Sequence, residues 1–204
     1  MVYGTGKGGN IEITTGFLSV PGGAQLLTNT VGRGLAGNII IKAGDRVSFN
    51  GTTPSGRFPS AAFSSVDTTT NFTGKGGNIT VDTNLLRVID GASIDARTLN
   101  SSDAGNITIN AGLVEVLNGG QIISTSSGSR RAGKITVNGT DAEFNERLDK
   151  FPARFTNFGS ASGFFVLASS SGIAGDIEVT SPKITLDNKG RFIAEFFLRK
   201  WRQY

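Results

Sequence analysis

A short phrase, in which glycine precedes alternating polar and apolar residues, recurs along the chain. Its copies have the form Gly-x-Ile-x-Ile/Val and begin at six glycines: Gly9, Gly37, Gly77, Gly105, Gly133 and Gly175. Successive starts lie 28, 40, 28, 28 and 42 residues apart, so three of the five intervals are equal. A fixed period of this length is typical of proteins in which each repeat stacks on the next.

Within each period, apolar residues alternate with polar ones in three short stretches. Ile107/Ile109, Val114/Val116 and the segment at Ile122 are examples of the three. Such alternation in β-branched residues predicts strands, and no helical periodicity lies between them. Three short strands bury their apolar sides only when each stacks on its counterpart one period later. The sequence therefore predicts an all-β parallel β-helix, a solenoid with three short strands and three corners per 28-residue turn, and about six turns.

The two longer intervals predict insertions at one corner of the coil, between strands two and three. In the second period, strand two is expected at residues 47–49, slipped by one residue, and strand three near Val66, which leaves an insertion near residues 51–61. In the fifth period the insertion is expected near residues 146–159, before a third strand at 164–166. Insertions in solenoids form loops on one face, which is often the binding face.

Composition and charge exclude several classes of function. The chain has no cysteine and no histidine, which removes disulfides, the common zinc sites and a Ser-His-Asp triad. The net charge of +4 is scattered, whereas a nucleic-acid surface needs a concentrated basic stripe. No window approaches the roughly 18 apolar residues of a membrane span. We therefore expect no nucleic-acid partner, no transmembrane segment and no cofactor.

Three segments of the chain resemble a known repeat family. Residues 76–81 read Gly-Gly-Asn-Ile-Thr-Val, residues 91–98 read Gly-Ala-Ser-Ile-Asp-Ala-Arg-Thr, and residues 104–109 read Ala-Gly-Asn-Ile-Thr-Ile. These segments resemble the repeats of filamentous haemagglutinin-type exoproteins, which Gram-negative bacteria secrete by the two-partner pathway. The resemblance implies a right-handed β-helix, export through an outer-membrane transporter and a location at the bacterial cell surface. It also implies adhesion to glycans or receptors, without catalytic residues.

Both ends of the chain depart from that family pattern. No signal peptide or amino-terminal secretion domain precedes the first repeat, so we expect a fragment from within a repeat array. The array is expected to fill residues 1–194, whereas residues 195–204 are off-pattern. The codons for Arg199 to Tyr204, read one nucleotide later, can encode Gly-Asn-Gly-Gly-Asn-Ile, the missing repeat opening. This predicts a frame slip between Ala194 and Arg199, and a basic amphipathic membrane tail is the alternative.

Stacking converts equal offsets of the repeat into columns of side chains. The residues after the opening glycines form one column: Asn10, Asn38, Asn78, Asn106, Lys134 and Asp176. Stacked asparagines can hydrogen-bond along the axis, and Lys134 is expected to pair with Asp176 where the asparagines end. Arg87 is expected to face Glu115, with Glu143 on the next turn. All of these interactions are expected to be structural.

A pair of carboxylates carries the catalytic alternative. Asp67 and Asp95 are expected at one offset on neighbouring turns, about 5 Å apart, with Arg97 beside them. Close carboxylates recruit a cation such as calcium or shift one another's pKa, as a polysaccharide lyase or hydrolase requires. The other members of that column are apolar, and no further acid or lysine completes the site. Adhesion is therefore favoured over catalysis.

Threonine and phenylalanine side chains raise two further questions. A column of outward positions on strand one, which would suit an ice-binding β-helix, consists of Thr80, Thr108 and Thr136. The second insertion holds Phe151, Phe155 and Phe158, which are expected to cover the outer face of the coil, with an exposed partner or glycan site as the alternative. The function expected is a structural and adhesive repeat segment, not an enzyme, with no catalytic, cofactor-binding or metal residue assigned.

Overall fold

The computed structural model describes residues 3–4, 6–32, 34–67, 74–99, 102–145, 161–169, 171–186 and 190–197. These residues form sixteen β-strands and no helix. The strands are β1 (Tyr3–Gly4), β2 (Ile11–Pro21), β3 (Gln25–Leu27), β4 (Thr30–Gly32), β5 (Ile39–Asn50), β6 (Ala61–Phe63), β7 (Val66–Asp67), β8 (Ile79–Ile89), β9 (Ser93–Asp95), β10 (Ile107–Leu117), β11 (Gln121–Ser126), β12 (Ile135–Asn145), β13 (Gly163–Ser169), β14 (Ile177–Thr180), β15 (Ile184–Leu186) and β16 (Arg191–Phe197). Every pair of these strands is parallel, which confirms the predicted all-β class and a β-helix-like arrangement.

In the largest sheet, the first and second predicted strands of most coils form a single long strand. The order of this sheet is β14-β12-β10-β8-β5-β2, and β15 also pairs with β12. The long strands run through the predicted corner between strands one and two, and the alternation of buried residues changes phase there, from Ala111 to Val114. Asn110 lies opposite Asp82 and Ala111 opposite Thr83. In the last described coil, β14 and β15 are separate strands on either side of Pro182, which has no N–H to donate to a ladder.

The third predicted strands form a second, six-stranded sheet of order β16-β13-β11-β9-β6-β3. Within it, Ile122 pairs with Ile94 on one side and with Phe164 on the other. The strands β1, β4 and β7 form a small third sheet, and Thr98 extends that ladder with single bridges to the coils on both sides. Each coil therefore contacts the next along most of its length.

The core is built from the inward positions of the repeat. Ile79, Ile107 and Ile135 lie in register on successive coils and are fully buried, as predicted. Burying each such side chain contributes about 1.5–3 kcal/mol. Thr108 lies between the buried residues Ile107 and Ile109 on the same strand and is itself only half-buried. The strand pattern thus produces a continuous apolar interior, with residues such as Thr108 on the outer surface.

The coil of residues 37–76 carries extra residues at more than one place. A bulge in β5 shifts the register by one residue, so that Val47 pairs with Leu18, as predicted. Ten residues, 51–60, separate β5 from β6, whereas three residues, 22–24, separate β2 from β3. This longer connection folds back on itself through the antiparallel bridge Thr52–Pro59. The corner is therefore a small hairpin.

The third strand of this coil begins earlier than predicted. Ala61 of β6 pairs with Gln25 of the preceding coil, so the expectation that this strand resumes near Val66 is wrong. The pattern failed because the side chains of β6 are mostly small, while Val66 lies in the following strand β7. Further extra residues follow β7. Lys75 lies eight positions after Asp67, whereas their partners in the preceding coil, Val31 and Leu35, are four positions apart.

The second long coil keeps its strands in register on both sides of its extra residues. The third strand predicted at 164–166 is present within β13, and its residues Phe164 and Val166 are fully buried. The strand β12 stays paired with β10 as far as its last residue, and β13 pairs with β11 from its first. Residues 146–160 between them, including Phe151, Phe155 and Phe158, lie outside the described residues.

The off-pattern tail begins within a paired strand. The strand β16 continues past Ala194, and Glu195 pairs with Leu167 of β13. Residues 198–204 lie outside the described part of the chain. The frame slip concerns the coding DNA and stays a prediction.

Candidate functional site

The asparagine column forms a ladder between side chains and the backbone. The Oδ1 atom of Asn10 accepts from the N–H of Asn38, that of Asn38 from Asn78, and that of Asn78 from Asn106, each at 2.9 Å. The last amide oxygen accepts from the N–H of Lys134 at 2.8 Å. The predicted ladder is present, but it differs from a stack of amide–amide bonds because each side chain caps a backbone donor at the start of the next strand. The column is therefore a structural element.

At the end of that ladder, the lysine pairs with a different acid from the one predicted. The ammonium group of Lys134 contacts the carboxylate of Glu178, not that of Asp176. The pKa of Lys134 is raised, first by its hydrogen bond to Glu178 and then by the nearby negative charges. The prediction failed because a lysine side chain is long enough to reach past the adjacent position to the next outward residue.

The charge pair predicted on strand two is present. The Nε atom of Arg87 lies 2.6 Å from Oε2 of Glu115, and the two side chains are 35% and 20% exposed. The N–H of Nε is not directed at that oxygen, so the contact is a close charge pair rather than an aligned hydrogen bond. The side chain of Glu143 lies outside the described residues. Both described members of this column are already paired with one another.

A second polar ladder lies on the same sheet and was not predicted. Asn110 donates through Nδ2 to Oδ1 of Asp82 at 2.6 Å, and Asn138 donates to Oδ1 of Asn110 at 2.9 Å. At the next corner, Asn118 donates to Asp90 at 3.0 Å, and both residues have positive φ. Asparagine and aspartate are tolerated in that conformation. The mixed composition of these columns concealed the shared role of the side chains.

The expected pair of catalytic carboxylates is not assembled. In register, Asp95 lies between Phe63 of the preceding coil and Ile123 of the following one, while Asp67 pairs with Val31. The expectation that Asp67 and Asp95 share one offset is therefore wrong. Its cause is the error at β6: placing the third strand at Val66 shifted Asp67 onto the position that Phe63 occupies.

Asp95 has a structural partner two residues along the chain, just after strand β9. Its side chain is fully buried, and Oδ2 accepts a hydrogen bond of 2.6 Å from Nε of Arg97. The guanidinium group also lies 5.9 Å from the centre of the Phe63 ring. A buried carboxylate needs such a partner, since an unpaired charge away from water is strongly unfavourable. This arrangement neutralises the acid and sequesters it from solvent.

The threonine column has the expected register on the surface of the large sheet. Thr108 lies between Thr80 and Thr136, and all three are half-buried. The row ends at Ile40 on one side and at Glu178 on the other. It is therefore a row of three hydroxyl-bearing residues and not a long uniform array.

Apolar side chains also fill the outer side of the six-stranded sheet. Ile123, Phe165 and Leu167 form a second buried cluster with Ala161, separate from the main core. Inside the core, Phe164 stacks on Phe192 with ring centres 5.0 Å apart. Because both faces of β13 are buried, this part of the sheet offers no open site for a ligand.

Among the described residues, no three acidic side chains cluster closely enough to hold a metal ion. No helix long and apolar enough to cross a membrane occurs in the same part of the chain. No protein-family model, curated protein or solved structure matches this sequence. The geometry of the surface columns is therefore the basis for a functional interpretation.

Proposed function

We propose that the chain is a structural and adhesive repeat segment of a secreted bacterial surface exoprotein, of the filamentous haemagglutinin type, that binds glycans or cell surfaces without catalysis. The observation that carries the proposal is the in-register stack of repeats, which sets the outward side chains of successive coils in rows. The segments at 76–81 and 104–109 that resemble the family occupy equivalent positions in neighbouring coils. Rows of this kind suit an extended ligand better than a small substrate.

The finer architecture belongs to the same proposal. The coils form a right-handed β-helix of about six turns, with 28 residues in a turn that lacks an insertion. Parallel strand connections through one sheet are almost always right-handed, which supports this choice of hand. An experimental structure by crystallography or electron cryo-microscopy tests it, and a left-handed coil would contradict it.

Export through an outer-membrane two-partner transporter and a location at the cell surface follow from the family resemblance. The chain, fused behind a two-partner secretion domain and expressed with its transporter, is expected to reach the cell surface. Accessibility to an added protease measures this outcome. Retention in the periplasm, with a known repeat segment exported in the same fusion, would count against the proposal.

The described acidic residues favour binding over catalysis. Asp95 is buried and paired with Arg97, two residues along the chain, and Asp67 occupies a different offset. A lyase or hydrolase needs acidic and basic groups that reach the substrate together. Neither the arrangement around Asp95 nor the short row at Thr108 provides a specific observation in favour of glycan cleavage or ice binding.

Binding and cleavage are measured on the same purified chain. It is expected to bind a subset of immobilised glycans or intact cells, and to leave uronate polymers intact with and without calcium. The Asp95→Ala variant is the control for cleavage. Degradation of a uronate polymer by the wild type that is lost in Asp95→Ala would replace adhesion by lyase or hydrolase activity. Absence of binding to every glycan and cell type would remove the proposal.

A further inference from the structure

At one corner of the coil, exposed residues from successive turns form a row in which every second side chain is a cation. The row is formed by one residue from each of six successive coils: Lys7, Leu35, Lys75, Asp103, Arg131 and Ile173. All six residues are exposed. We call this row the basic corner.

The backbone beneath the basic corner is a continuous ladder. The N–H of Ala36 donates to the carbonyl of Lys75 at 3.0 Å, that of Gly76 to Asp103 at 2.9 Å, and that of Ala104 to Arg131 at 3.0 Å. Strands joined in this way are about 4.8 Å apart. The side chains therefore project from attachment points whose spacing is fixed.

Among the described residues, no ion pair joins a cation of the basic corner to an acid. Ion pairs in this part of the chain join Arg87 to Glu115, Arg97 to Asp95 and Lys134 to Glu178. Asp103 is the acid in the row, and its Oδ1 accepts from the backbone N–H of Arg131 at 3.1 Å. Arg130 is also exposed beside this row. The corner is thus a cationic surface with open donor groups.

The alternation sets the spacing of these charges. Lys7, Lys75 and Arg131 occupy every second coil, so neighbouring cations are two strand spacings, or about 9.6 Å, apart. This is close to the length of one disaccharide in an extended β-linked polysaccharide. Leu35 lies between the first two cations and offers an apolar surface to a sugar ring, while Asp103 lies between the second and third and disfavours another anion.

We propose that the basic corner binds a linear anionic polysaccharide with one carboxylate per disaccharide, lying along the stacking direction. The three cations then contact successive carboxylates, and the intervening sugars lie over Leu35 and Asp103. This inference rests on the proposed function, since it specifies the glycan and its site. The proposed function predicts binding to glycans in general, whereas this inference specifies the spacing of the negative charges along the glycan.

Binding of hyaluronan, which alternates a uronate with a neutral amino sugar, tests the proposal. The chain is compared on hyaluronan, polygalacturonate with a carboxylate on every sugar, neutral dextran, and a single-stranded oligonucleotide. The test variant is K7Q/K75Q/R131Q. Its matched control, K42Q/R57Q/R191Q, also removes three positive charges, but from exposed positions outside the basic corner. Far-UV circular dichroism verifies that both variants fold.

The corner variant is expected to bind hyaluronan about tenfold or more weakly, because three charge contacts are lost. The matched control is expected to stay within about twofold of the wild type, and salt is expected to weaken wild-type binding. Equal losses in both variants, or preference for the oligonucleotide or polygalacturonate, would overturn the inference. If the corner variant binds hyaluronan as well as the wild type does, the basic corner is not the binding site, and the proposed adhesive function still stands. If the wild type binds no glycan and no cell, the proposed function is refuted as well.

Asp103→Asn tests the charge period independently. The substitution removes the negative charge and keeps an oxygen that can accept from the N–H of Arg131. It is expected to raise affinity for polygalacturonate about threefold or more, with a smaller gain for hyaluronan. An equal gain for both polymers would show that Asp103 does not contribute to the selectivity.

Discussion

Two neighbouring parts of the stack accommodate the same repeat in different ways. The strands β8, β10 and β12 pair residue by residue with no shift, whereas the coil of residues 37–76 carries a bulge, a hairpin and further residues after β7. Yet Val47, Phe49 and Ala62 of that coil are fully buried in the same core. Burial of the inward positions is therefore the constraint that both regions share, and additional chain length is accommodated at corners.

The largest expected effect comes from placing a charge at an inward position of the regular coils. Ile107→Asp buries a carboxylate without a partner and is expected to cost about 4 kcal/mol or more in the free energy of unfolding. Thr108→Asp, one residue away on the outer surface, is expected to cost about 1 kcal/mol or less. Urea unfolding followed by circular dichroism measures both. Similar midpoints for the two variants would refute the assignment of inside and outside.

The close contact between coils predicts a smaller, but still clear, effect at the opening glycine. A Cβ atom on Gly105 would lie 1.9 Å from the carbonyl oxygen of Gly77 in the preceding coil. Gly105→Ala is therefore expected to cost about 1–3 kcal/mol through overpacking. Gly9→Ala is the matched control, since nothing lies within 4 Å of its Cβ position. Equal melting temperatures for the two variants would contradict the stacking of these glycines.

The sequence predicted the regular coils well because their signal is strong on every turn. Buried β-branched residues such as Ile79 and Ile135 recur at one offset, and the slip at Val47 was visible for the same reason. The hairpin coil was predicted less well because β6 has small side chains and its counterpart was placed at Val66. That single error also produced the false pairing of Asp67 with Asp95.

The surface was predicted only in part, for a physical reason. A buried position demands one type of side chain, whereas an exposed position tolerates many, so columns of mixed composition do not reveal their contacts. The Arg87–Glu115 pair was predicted because both partners are charged and adjacent. The basic corner was not, since Lys7, Lys75 and Arg131 are far apart in the chain and become a row only through the register.

Shortening the hairpin coil tests whether corners absorb length. Deleting residues 53–59 leaves three residues between β5 and β6, as in the first coil, and is expected to change the free energy of unfolding by about 1 kcal/mol or less. Deleting residues 51–61, the insertion that the sequence predicts, removes Ala61 and shifts β6 out of register. This deletion is expected to lower the free energy of unfolding by about 3 kcal/mol or more. Thermal unfolding compares the two. A tolerated larger deletion would favour a third strand at Val66.

The charge pair of the regular coils should contribute little to stability. A double-mutant cycle with Arg87→Ala and Glu115→Ala is expected to give a coupling energy of about 0.2–1 kcal/mol, since both side chains are partly exposed. The coupling is expected to decrease with added salt. A coupling that is insensitive to salt would indicate that packing, and not charge, joins the two residues.

The smallest expected effect concerns the pair of Lys134 and Glu178, which joins the second long coil to the last described coil. The pKa of Lys134 is raised, mainly by Glu178, so its favourable contribution is present at neutral pH and is lost as the pH rises through that pKa, above the ordinary value of 10.5. Titration by nuclear magnetic resonance is expected to show a larger fall in the pKa of Lys134 for Glu178→Gln than for Asp176→Asn. The reverse order would restore Asp176 as the partner and would place the lysine along the column, as the regular coils predict.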